Sequence, residues 1–89
     1  MNNFLVPLTA HLIAESSENM RILVVEDEIK AAEYLQQGLI ECGYTVDCVS
    51  DGLDGFHLAL QNDYDIVLLD VNLPTMDGWE VLELIRRRK

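Results

Sequence analysis

From about residue 20 onward, apolar and polar positions fall into short, regularly spaced blocks. Residues 66–69 (IVLL) form a continuous apolar run that ends in Asp70, and Arg21–Val25 (RILVV) runs in the same way into Glu26, Asp27 and Glu28. A short apolar run with polar ends is the pattern of a strand buried on both faces. Thr45–Val49 predicts a shorter strand between these two. Ile29, Ala32, Leu35 and Leu39 recur at helical spacing and predict a helix over residues 27–42. Gly43 follows as a residue able to take the left-handed conformation that ends helices. Ser50 or Asp51 can cap a second helix reaching residue 61. Residues 62–65 read as a polar loop. After a loop at residues 73–78, Val81, Leu82 and Ile85 predict a third helix over residues 79–88. Strands alternating with helices imply right-handed crossovers and a parallel sheet, an α/β fold.

The first nineteen residues do not share this rhythm. FLVPLTAHLIA is apolar, yet Pro7, Thr9 and His11 interrupt it, and it lacks the basic start of a secretory signal. A linker-like ESSEN then leads to Met20. The expected organisation is a poorly ordered extension without chemistry over residues 1–19, then one domain over residues 20–89. With 89 residues the chain holds one small domain, and its 49% apolar content is enough for a core. Sixteen acids against six bases give a net charge of −10, which favours cations or basic partners and argues against binding nucleic acid directly. Four of those bases are residues 86–89, at a helix end where the dipole favours them. Cys42 and Cys48 are expected to be free thiols in a reducing, cytoplasmic compartment. No run approaches the roughly 20 apolar residues of a membrane span.

The acids supply the candidate chemistry. Neighbouring parallel strands lie roughly 4.8 Å apart, so if the first and third strands are adjacent, Asp27 and Asp70 converge at one sheet end with Glu26 beside them. Carboxylates in one pocket repel unless protons or a cation compensate. Mg²⁺ suits such a site, because it takes oxygen ligands and commonly bridges to phosphate. A carboxylate beside it can act as nucleophile and form an acyl phosphate. Acids at strand ends are more often solvated or cap helices, and that plainer reading is preferred for Glu28. His11 and His57 have no partner at ligand spacing. Trp79 is expected to pack locally, and Cys48 to fill a small apolar gap.

VVEDE followed by LLDVNLPTMDG resembles the receiver domain of two-component response regulators. The resemblance implies a flavodoxin-like α/β fold, here three parallel strands in the order 2-1-3 with three helices. It implies that Asp70 accepts phosphate from a sensor histidine kinase, so that the chain takes part in phosphotransfer without being an ordinary enzyme. Glu26 and Asp27 would hold Mg²⁺ with Asp70, Asp27 being the more direct ligand, and Asn72 would add its backbone carbonyl. Pro74 and Gly78 match the family's loop, where they shape the turn. EYLQQGL, DGLDGFHLAL and DGWEVL look most like the winged-helix transcription regulators that answer copper and other heavy metals. Haloacid-dehalogenase-type phosphatases also use a strand-end aspartate, but they need a second aspartate where this chain has Asn72.

The match runs from residue 20 to the last residue and stops after the third helix. Nothing matches the family's fourth strand with its Ser/Thr, its fifth with its Lys, the last two helices, or a DNA-binding domain. Lys30 and residues 86–89 are not at matching positions. The expectation is a partial receiver whose third strand has an open edge and whose sheet lacks a covering helix on one face. It should therefore self-associate through that edge. The alternative is a phosphorylation-incompetent fragment that binds itself or a kinase.

Overall fold

The computed structural model describes residues 20–71, 73 and 76–88, together with the backbone of residues 3–7. The elements in chain order are β1 (Asn3–Pro7), β2 (Arg21–Val25), α1 (Ile29–Glu41), β3 (Thr45–Val49), α2 (Gly52–Gln61), β4 (Ile66–Asp70) and α3 (Gly78–Arg88). The parallel strands are those expected, with β2 in the centre flanked by β3 and β4. Their order is 2-1-3 when counted from β2.

Alternation along β2 divides the core into two layers. Leu23 and Val25 join Val67 and Leu69 of β4 beneath Phe56 and Ala59 of α2 and Val81, Leu82 and Ile85 of α3. Ile22 and Val24 face the other way, with Ile66, towards Leu35 and Leu39 of α1. A strand covered on both faces has no place for a polar side chain, which is why RILVV and IVLL read as unbroken apolar runs.

The helix ends follow local chemistry. Gly43 is the only described residue with a left-handed backbone (φ 96°), and it closes α1 as predicted. Asp51 caps α2, its side-chain oxygen accepting a 2.9 Å bond from the Asp54 N–H. One expectation for α1 fails. Ile29, placed on the apolar face by spacing, is 72% exposed. The covered line is Ala31, Leu35 and Leu39, spaced four apart, and Ile29 lies about 200° around the helix from Ala31. Trp79, expected to pack locally, is 60% exposed at the start of α3.

The larger departure is at the N-terminus. Within the stretch expected to be a poorly ordered extension, Asn3–Pro7 forms a strand, β1, antiparallel to β4 from Asn3 opposite Asp70 to Pro7 opposite Ile66. The β4 edge expected to be open is therefore paired by the chain itself, and the sheet order becomes β1-β4-β2-β3. Phe, Leu and Val favour extended pairing, and Pro7 is tolerated because β1 is itself the sheet edge.

Candidate functional site

Register sets the site. Val25 of β2 lies opposite Leu69 of β4, so the residue after each reaches the same level at the carboxyl end of the sheet. Glu26 and Asp70 thus stand side by side, and Asp27 follows into the loop. One carboxylate oxygen from each of Glu26, Asp27 and Asp70 lies within 4.8 Å of the others, and no other such group of three potential metal ligands occurs among the described residues. Glu26 is only 3% exposed and Asp70 8%, whereas Asp27 is exposed. The cluster thus combines two buried acids with one that solvent reaches.

The backbone around the acids is held from several directions. The Glu26 N–H donates 3.0 Å to the Val49 carbonyl, tying the end of β2 to that of β3. The Glu28 N–H donates 3.1 Å to the Glu26 carboxylate. Glu28 itself makes no side-chain cap bond at the start of α1. On the β4 side, the Gly78 N–H donates 2.9 Å to the Val71 carbonyl, so α3 begins directly against the strand end that carries Asp70. A Cβ on Gly78 would collide with the Asp70 carbonyl and come within 3.0 Å of the Val71 Cα. Asp77 caps α3 by accepting a 2.9 Å bond from the Glu80 N–H.

Gly52, not singled out in the sequence, belongs to the same frame. A Cβ there would meet the Met76 carbonyl, so α2 starts hard against the loop after β4. A glycine directly behind the Asp51 cap, where a better helix former would ordinarily sit, is the signal that could have identified it.

A second polar cluster runs from the middle of β3 to the end of the sheet opposite the acids. The Tyr64 hydroxyl donates 2.6 Å to an Asp47 carboxylate oxygen, and Arg21 pairs with the same oxygen at 3.4 Å. The Arg21 guanidinium lies 5.0 Å from the Tyr64 ring centre. Burial, reinforced by the bond to Asp47 and its charge, pushes the Tyr64 hydroxyl up to about 12. Burial, aided by the Asp47 charge, also raises the Cys48 thiol, which suits a packed thiol rather than a reactive one. Arg21, Asp47 and Tyr64 bind β2, β3 and the loop before β4 together.

The structure thus brings Glu26, Asp27 and Asp70 together as predicted. Asn72 and Pro74 lie outside the described residues, as does His11. His57 is exposed, with its ring 5.7 Å from that of Phe56.

The donor set fits a hard divalent cation: three clustered carboxylate oxygens, one of them on an exposed residue. No described helix is long and apolar enough to cross a membrane.

Comparison with known proteins points the same way. Residues 22–89 match the family model described as the response regulator receiver domain. The chain is 50% identical over 70 residues to the transcriptional regulatory protein HprR of Escherichia coli, covering 79% of this chain and 31% of that protein. It is 48% identical over 67 residues to the transcriptional regulatory protein CusR of the same species, covering 75% and 30% respectively. It therefore spans less than a third of the length of these relatives. Among solved structures, it superposes with a TM-score of 0.77 and 32% identity on the receiver domain of the Pseudomonas aeruginosa sensor histidine kinase PA1611, over 80% of this chain and 58% of that one. That receiver was solved with a magnesium ion coordinated in its active site cleft.

Proposed function

The chain belongs to the response regulator receiver domain family, and from that premise we propose that it accepts a phosphoryl group on Asp70 in a Mg²⁺-dependent transfer from a sensor histidine kinase. The observation carrying this reading is the convergence of the Glu26, Asp27 and Asp70 oxygens within 4.8 Å at the carboxyl end of the sheet. Glu26, Asp27 and Asp70 would hold the metal through their carboxylates, and Asn72, outside the described residues, would add its backbone carbonyl. When bound, Mg²⁺ offsets the negative charge of the acids and of the incoming phosphate. The Asp70 carboxylate attacks phosphorus, the bond from phosphorus to the donor's leaving group breaks, and an acyl phosphate forms on Asp70. The β2 and β4 strand ends, held by Val49 and by the start of α3, keep the nucleophile in place during this step.

Similarity to transcriptional regulatory proteins supports transcription as the controlled output. The resemblance of EYLQQGL, DGLDGFHLAL and DGWEVL to the heavy-metal type of regulator supports copper or another heavy metal as the signal on the kinase side. Incubation with acetyl phosphate and Mg²⁺, followed by intact-mass measurement, tests the proposal. It predicts the gain of one phosphoryl group, lost in Asp70→Asn and in EDTA. An unchanged mass in the wild-type chain would refute it and favour a fragment that acts by association alone.

A further inference from the structure

The family model begins at residue 22, yet Asn3–Pro7 takes part in the sheet. It does so on the outer edge of β4, the strand that delivers Asp70. In a flavodoxin-like sheet of order 2-1-3-4-5, that edge receives a further parallel strand. Here an antiparallel strand from the chain's own N-terminus occupies it, and antiparallel edge strands on otherwise parallel sheets are common. The pairing spans the whole of β4 without a bulge, from Pro7 opposite Ile66 to Asn3 opposite Asp70. It therefore reaches the phosphoacceptor's own backbone.

We propose that the β4 edge is a strand-accepting surface occupied by Asn3–Pro7 of the same chain, which makes the N-terminal segment a positioning element for Asp70. In chemical terms the occupant is a short extended apolar strand, FLV with one polar residue before it and a proline after it. Pairing on both sides satisfies the outward N–H and C=O groups of β4. It also fixes the end of β4 from the side opposite β2, so Asp70 is held between two strands rather than hanging from one. The part of this inference that concerns Asp70 rests on the proposed phosphoacceptor role; the strand pairing does not.

Amide hydrogen exchange on the intact chain is the test. Successive N–H groups of a strand point alternately to its two neighbours. With β1 docked, consecutive amides of β4 are all protected, by at least about 10-fold over unstructured rates. If the edge is open, protection alternates, and that pattern overturns the proposal. A double variant, Phe4→Pro with Leu5→Pro, removes whichever of two adjacent β1 amides faces β4. It should convert uniform β4 protection to the alternating pattern, leave β2 and β3 amides protected, and promote concentration-dependent self-association. Global unfolding of this variant would also support the proposal, because prolines in an undocked tail cannot unfold a domain. Unchanged exchange and a monomeric state in the variant would overturn it. Acetyl phosphate labelling, run in parallel, should be slowed in the variant. No labelling in either form, with the exchange pattern as predicted, would remove the phosphoacceptor role and leave the strand pairing standing.

Discussion

Replacing Asp70 by Asn removes one charge from a pocket whose carboxylate oxygens lie within 4.8 Å of one another. At that separation each pair of unit charges repels by about 3.5 kcal/mol at an effective dielectric of 20 and by about 0.9 kcal/mol in water. Glu26 is buried and Asp27 exposed, so the two repulsions acting on Asp70 fall at different points in that range. After relaxation of the surrounding dipoles and water, the net relief is on the order of 1–3 kcal/mol. A chain of this size shifts its midpoint by about 4–8 °C per kcal/mol, so in EDTA Asp70→Asn should melt several degrees above the wild type. Saturating Mg²⁺ should reverse the order. A ligand at about 100 times its Kd adds about 2.7 kcal/mol to the form that binds it, and the wild-type pocket binds more tightly than one with a neutral amide. Thermal unfolding followed by circular dichroism, with and without Mg²⁺, measures both effects. Asp63→Asn, a surface acid outside the pocket, serves as control and should move little. If Asp70→Asn lowers the midpoint in EDTA, and Mg²⁺ raises both proteins equally, the three carboxylates do not share one electrostatic cage and the reasoning fails.

Gly78→Ala drives a methyl group into the Asp70 carbonyl and the Val71 backbone, which cannot move aside as a side-chain tip could. It should cost about 1–3 kcal/mol in urea unfolding and slow acetyl phosphate labelling, while an ordinary midpoint and labelling rate would contradict the close approach. Ile85, fully buried between α3 and the sheet, should lose about 2–5 kcal/mol on truncation to Ala; a cost under 1 kcal/mol would mean that α3 is not packed there. The Tyr64 hydroxyl, raised to about 12 from 10, contributes stability that is fully present below pH 10 and is lost as pH rises towards 12. The urea midpoint of the wild type should therefore fall more steeply over that window than that of Tyr64→Phe, and parallel curves would refute the bond to Asp47.

The parallel strands and the acid pocket were legible because one physical rule produces both. A strand covered on two faces must be apolar throughout, so its first polar residue marks where it leaves the core. Asp70 and Glu26 are such residues, and adjacency of β2 and β4 then determines that they meet. The helix ends at Gly43 and Asp51 were legible because φ preference and capping are local. Ile29 misled because periodicity gives a spacing without fixing which of two offset lines faces the sheet. The Arg21, Asp47 and Tyr64 cluster was invisible because its members are 17 to 43 residues apart and converge only through strand register. β1 was missed for a similar reason. FLVP carries a strand composition, but its partner lies some sixty residues away, and only pairing distinguishes a strand from an apolar tail.

The convergence of the β2 and β4 carboxyl ends on one cation can be measured with Mn²⁺, which shares the oxygen preference of Mg²⁺ and broadens nearby NMR signals. Substoichiometric Mn²⁺ should erase amide resonances around Glu26, Asp27 and Asp70 together, with Mg²⁺ restoring them by competition, while Arg21 and Tyr64, towards the other end of the sheet, are broadened less. Broadening confined to one strand end, or spread evenly over the acidic surface, would contradict a shared site.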